Sequence, residues 1–247
     1  MKSLKSVFFS LLLLSSGSLK AQETSSATQA GSLSLAALAT KAKAADAQIL
    51  DARTSEEFAQ NHLAGAINID PASASHEKDI AALSKEKPTF VYSIANGRSV
   101  ALAKKLRERG FREVIVLPGG IANWIGSGYP IVNHAKKGVS LSLAQFQTLN
   151  ASSDFVLVDF GSKYCGACKK LVPVLDTLEK KAGFSAKIVR IEAYDQTALL
   201  KELKINQLPT LVLYHHKKEI WKRAGQSTSA EIEAAVAEHQ TKPAKSN

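Results

Sequence analysis

The chain is short of sulfur: two cysteines, Cys165 and Cys168, and a single methionine stand among 247 residues. So thin a supply excludes a disulfide-stapled framework. It also excludes a zinc site built from two Cys pairs, because no second pair exists, and His215/His216 read as turn residues; no metal is expected. Tryptophan is scarce too, at two residues. The formal charge of +10 is scattered as Lys136/Lys137, Lys169/Lys170, Lys180/Lys181 and Lys217/Lys218, without interleaved aromatics. Such pairs read as solvated helix and turn faces, and no nucleic-acid partner is expected. Beyond the N-terminus no apolar run is long enough for a bilayer, so no transmembrane span is expected in a mature chain.

What the chain does have is Val156–Cys168, VLVDFGSKYCGAC. An apolar strand runs into a Cys-X-X-Cys turn, and Leu171, Val174, Leu175 and Leu178 behind it repeat at helical spacing. A cysteine at a helix N-terminus has its thiolate stabilised by free backbone N–H groups and the helix dipole. The second cysteine, one turn on, is placed to attack a mixed disulfide formed by the first. The pattern points to dithiol–disulfide exchange, with Cys165 as the exposed nucleophile and Cys168 as the resolving thiol. Asp159 lies in the strand among Val156, Val158 and Phe160. A carboxyl among such residues needs a reason, since a buried carboxylate is costly unless neutralised or paired.

The first residues carry an address. Met1–Lys5 is short and positive, Val7–Leu14 is apolar, and Ser15–Ala21 is small or polar, the three-part form of a secretory signal peptide over residues 1–21. Residues 22–32 (QETSSATQAGS) are polar and of low complexity, a disordered leader. Export is therefore expected, to the periplasm if the source is a Gram-negative bacterium, and the thiols would then face an oxidising compartment.

From residue 33 onward strand and helix patterns alternate. Strands are expected at Gln48–Asp51, Ala66–Ile69, Thr89–Tyr92 and Val114–Leu117. A capping box at Thr54–Glu57 opens one helix, and Arg98–Arg109 forms another, stopped by Gly110. The alternation implies an α/β fold, a parallel sheet with flanking helices. Val132–Ser140 is a polar connector, which sets a first domain at 33–133 and a linker at 134–140. A second domain follows at 141–240, opened by a capping box at Ser142–Gln145, and 241–247 is a tail. Pro173 is expected to kink the helix after the Cys pair.

ILDARTSEEFAQNHLAGAINID (Ile49–Asp70) and FVYSIANGRSVALAKKLRERGFREVIVLPGGIANWIGSGYPI (Phe90–Ile131) resemble the two halves of rhodanese-like domains. The resemblance implies a catalytic loop whose first residue is a persulfide-carrying cysteine. Here that residue is Ser93, whose hydroxyl lacks the soft sulfur such chemistry uses. The domain is thus expected to be non-catalytic. Its loop, Ser93, Asn96, Gly97 and Arg98, retains the form of an anion site, or else Arg98 satisfies the loop's own carbonyls. Asp51, Arg53 and His62 match the family pattern and read as fold-stabilising partners.

The second domain resembles thioredoxin, through VLVDFGSKYCGACKKLVPVLDTL, INQLPTLVLY and Gly225. The resemblance implies a thioredoxin fold and a catalytic set of Cys165, Cys168 and Asp159, with the carboxyl relaying a proton to Cys168. It implies a cis Leu208–Pro209 bond holding substrate beside the pair, with Tyr164, Gly166 and Ala167 also lining the substrate site. Arg190 falls near the place of the family's lysine partner to the carboxylate. Tyr164, Gly161 and Ala167 depart from the usual Trp, aromatic and Pro. No cofactor is expected beyond a redox-active Cys165–Cys168 disulfide. The partners expected are disulfide-bearing client proteins, a membrane electron donor and, through the rhodanese-like domain, a client, an anion or a second copy in a homodimer. Reduction of client disulfides is favoured over their formation or isomerisation. Sulfurtransfer through Cys165, or an inert scaffold, are the alternatives.

Overall fold

Short apolar runs alternating with capped helices give two four-stranded sheets in the computed structural model, which describes residues 34–134 and 140–240. The expected signal peptide, leader and tail, and residues 135–139 of the linker, lie outside the described residues.

In the N-terminal region Ser34 caps α1 (Leu35–Ala42) and leads to β1 (Gln48–Asp51). Thr54 and Glu57 form the expected capping box of α2 (Ser55–Gln60), followed by β2 (Asn61–His62) and β3 (Ala66–Asn68). Next come α3 (His76–Ala81), β4 (Thr89–Tyr92), α4 (Gly97–Glu108) and β5 (Val114–Val116). α5 (Gly120–Gly126) and β6 (Val132–Asn133) close the region. The sheet is parallel throughout, in the order β3-β1-β4-β5. β2 and β6 pair antiparallel, so Val132 and Asn133, read from sequence as connector, belong to the first domain's own hydrogen bonding.

The C-terminal region contains α6 (Leu143–Leu149), opened by the expected Ser142–Gln145 box, and β7 (Phe155–Gly161). It continues with α7 (Gly166–Lys180), β8 (Ala186–Glu192) and α8 (Thr197–Glu202). β9 (Thr210–His215), β10 (Lys218–Ala224) and α9 (Ser229–Gln240) complete it. Its sheet runs β10-β9-β7-β8, parallel at β7–β8 and antiparallel elsewhere. Pro173 sits inside α7, which is one helix from Gly166 to Lys180.

Strand alternation decides where the cores lie. In β1 and β4, Leu50 and Val91 face α4 through Leu102 and Leu106. In β7 and β9, Leu157, Leu211 and Leu213 face α7 and α9. The opposite faces, with Ile49, Phe90 and Tyr92 from one sheet and Val156, Val158, Phe160 and Val212 from the other, enter one common cluster. α1, α5, α6 and α8 contribute to it through Leu38, Ile121, Trp124, Phe146, Leu199 and Leu200. The two regions therefore share an apolar core.

Candidate active site

β7 is buried along its whole length because β8 and β9 flank it, and it delivers the chain to the start of α7. Cys165 caps that helix from an extended backbone, φ −84° and ψ 114°, and its Sγ accepts the Cys168 N–H at 3.2 Å. The two cysteines form a disulfide across a Cα separation of 5.1 Å. Across from them the Leu208–Pro209 peptide is cis, and the Leu208 carbonyl oxygen lies 3.8 Å from the Cys165 sulfur. Gly166 is exposed and Ala167 half-buried, with the Ala167 carbonyl accepting from Gln226 Nε2 at 2.6 Å. The geometry thus brings together Cys165, Cys168, Leu208, Pro209, Gly166, Ala167 and Tyr164.

Asp159 is 6% exposed, and its Oδ1 has no hydrogen-bond partner. Burial pushes its carboxyl up to about 6, with Arg190 pulling it back and Glu192 adding to the rise. Arg190 stands opposite Asp159 in the β7–β8 register, yet its guanidinium binds Asp176 at 2.7 Å and Glu179 at 3.0 Å on α7. It acts on Asp159 as a distant charge and makes no hydrogen bond to it. Gly161 lies between the carboxyl and the helix. A Cβ added there would sit 3.5 Å from both carboxylate oxygens and 3.6 Å from Cys168 Cβ. Lacking that side chain, the site keeps a cavity of about 330 Å³ bounded by Asp159, Gly161, Cys168, Lys169, Val172 and Glu192. A carboxyl at this pKa, set beside the inner cysteine, can accept a thiol proton near neutral pH.

The expected exposure of Cys165 needs correction: it is 3% exposed, and Cys168 4%. The N-terminal domain closes on the pair: Cys165, Cys168 and Leu208 share one buried cluster with Ile94, Ile121 and Trp124. Glu56 of α2 accepts the Tyr164 hydroxyl at 2.6 Å and Lys163 Nζ at 3.1 Å, on the loop leading into Cys165. These bonds hold the Glu56 carboxyl below its usual range, whereas burial and Glu56 raise Tyr164. Gln60 donates to Asp195 at 2.8 Å, and the Arg53 guanidinium lies 5.3 Å from the Tyr194 ring centre and 5.6 Å from that of Tyr92. α5 packs on α8, and a Cβ on Gly126 would overlap the Ile205 carbonyl. The contacts that cross between the domains are not legible in the sequence, where Glu56 reads only as part of a capping box and no local pattern encodes a contact 108 residues away.

The degenerate loop also differs from expectation. The Arg98 guanidinium makes paired bonds of 2.6 and 2.8 Å to Glu57 of α2, outside the loop. Instead the Ser93 carbonyl accepts from Ile121 N–H at 2.9 Å and the Ile94 carbonyl from Ala122 N–H at 3.4 Å. The Ser93 hydroxyl is buried, 3.2 Å from Ser99 Oγ. Asn96 Oδ1 accepts the Gly119 N–H at 3.0 Å, and Gly97 begins α4. Asp51 and Arg53 form a buried ion pair at 2.6 Å, and His62 Nδ1 lies 2.9 Å from the Phe58 carbonyl, which fits their reading as structural partners.

A redox-active helix cap facing a cis-proline, on a mixed four-stranded sheet, is the arrangement of thioredoxin-type proteins, and comparison with known proteins agrees. The thioredoxin family model matches residues 138–238, and the rhodanese-like domain model matches residues 34–127. Thioredoxin of Haemophilus influenzae is 28% identical over 97 residues, 39% of this chain and 91% of that protein. Thioredoxin of Chlamydia caviae is 35% identical over 69 residues, 28% of this chain and 67% of that protein. The crystal structure of Malassezia sympodialis thioredoxin aligns with a TM-score of 0.37 at 23% identity, covering 41% of this chain and 92% of that one. The chain belongs to the thioredoxin family, with a rhodanese-like domain preceding its thioredoxin domain. It is a thiol–disulfide oxidoreductase acting on disulfide-bearing substrates. Among the described residues, no helix is long and apolar enough to cross a membrane.

Proposed function

We propose that the protein is exported and reduces disulfides of client proteins, with electrons supplied by a membrane donor. The observation that carries the chemistry is the Cys165–Cys168 pair capping α7, with the partnerless Asp159 carboxyl behind Gly161. In the reduced protein the Cys165 thiolate attacks one sulfur of a client disulfide, forms a mixed disulfide and releases one client thiolate. Asp159 takes the proton of Cys168, whose thiolate attacks the Cys165 sulfur. The intramolecular disulfide closes, the second client thiolate leaves, and two electrons have passed to the client. Leu208 and Pro209, with Tyr164, Gly166 and Ala167, border the place where the client strand lies. The signal-peptide pattern of residues 1–21 supports export, and a periplasmic location would follow in a Gram-negative source. The rhodanese-like domain is non-catalytic, because Ser93 is buried and bears no sulfur.

Two measurements test the reading. The Cys165–Cys168 disulfide is expected to equilibrate with glutathione redox buffers, and Cys168→Ser to accumulate mixed disulfides on Cys165 in the exporting cell. A pair inert to glutathione, or no trapped adducts, would sink it. Thiosulfate-to-cyanide transfer by the wild type would transfer the assignment to sulfurtransferase chemistry.

A further inference from the structure

The surface that should receive a client is already covered. Cys165, Leu208 and Pro209 are buried, and so is Ser162 beside them, whereas Gly166 and Gln226 on the other flank of the pair stay exposed. The cover is therefore one-sided, and it comes from α2 and α5. On α5 it has Gly126, where a Cβ would overlap the Ile205 carbonyl three residues before Leu208. At its rim it is held by polar ties, Glu56 to Tyr164 and Lys163, and Gln60 to Asp195.

Resting on the reading of Cys165–Cys168 as the exchange site, we infer that the rhodanese-like domain is a built-in occupant of the client-binding surface, and that exchange with proteins requires it to swing away. Beside its apolar contact the seam carries polar groups that opening would hydrate. Gln60 Oε1 is buried without a hydrogen-bond partner, so opening returns that polar atom to water. Opening also rehydrates the side of the buried Arg53 cation that now lies against Tyr194. The covalent link between the domains is the short segment after Val132–Asn133, which keeps the cover close after it lifts. A client strand then competes with a tethered domain, and its apparent affinity is reduced by the fraction of molecules that are open.

The test uses the full chain, reduced. Modification of Cys165 by a polyethylene-glycol maleimide and turnover of insulin disulfides are measured for wild type, Gly126→Leu, and the double variant Glu56→Ala/Gln60→Ala. The wedge at Gly126 is expected to raise both rates about tenfold or more, equivalent to ~1.4 kcal/mol in the opening equilibrium. The rim variant, which leaves the apolar contact intact, is expected to raise both by a smaller factor. If Gly126→Leu fails to fold, as judged by circular dichroism, the rim variant alone decides. Folded variants whose Cys165 reacts no faster than wild type, or a wild type reacting as fast as a thiol in a short peptide, overturn the inference. Faster maleimide modification without insulin turnover in any variant upholds the cover and overturns the reading of the site as a protein-disulfide reductase.

Discussion

Burial holds the Asp159 carboxyl at about 6, against an ordinary value of 3.8. Between those two pH values the folded chain keeps a proton that the unfolded chain has lost, so stability falls as pH rises through that window and is level above it. Asp159→Asn is expected to remove this slope and to raise the unfolding free energy at pH 7 by up to about 3 kcal/mol. Urea titrations at pH 4, 5, 6 and 7 (a design range, about one unit apart) measure it; an unchanged slope would place the carboxyl in water. The opposite sign is expected at a second buried carboxyl, Asp51. Asp51→Ala leaves the fully buried Arg53 without its counter-ion, at a cost of about 3–5 kcal/mol in the same assay.

Among the elements, α5 begins on a left-handed backbone. Gly119 and Gly120 stand at φ 71° and 60°, and a Cβ on Gly120 would overlap the Ser93 and Ala95 carbonyls. Those glycines let the helix start beneath the degenerate loop and bind it through Ile121 N–H. Gly120→Ala is expected to destabilise the protein by about 3 kcal/mol, through left-handed strain and a backbone clash together. A loss under half of that in thermal or urea unfolding would count against the packing described. Sequence reasoning reached the elements that announce themselves by local chemistry. The capping boxes at Thr54 and Ser142, the strand of β7 and the helix after the Cys pair all lie where side-chain type and spacing put them. It missed α3 and α5, which are only six and seven residues long and too short to show a period. It missed the pairing of β2 with β6, since two-residue strands have no alternation to read.

For the whole molecule, what could not be read was how the two domains share a core, because apolar residues on the outer face of each sheet look the same whether they meet a helix or another domain. The common cluster joining Phe90, Trp124, Val158 and Leu200 predicts that the domains unfold together. The two tryptophans report on them separately, Trp124 in α5 and Trp221 in β10. Urea curves of Trp124→Phe and Trp221→Phe, each corrected for its own stability change, are expected to show single transitions that coincide with far-ultraviolet circular dichroism. Two separated transitions would mean that the shared cluster contributes little to either domain.

Gly161 gives the covered state a property of its own. Its missing side chain leaves Asp159 and Cys168 facing a cavity whose rim holds the exposed residues Lys169 and Val172 on α7 and, nearer the cover, Lys163, which Glu56 binds. Water can therefore reach the carboxyl by a rear entrance while the sulfur face is shut. Proton exchange at Asp159 is therefore expected to proceed from the Lys169–Val172 side in the closed protein, so that an arriving client meets a pair whose protonation has already been set.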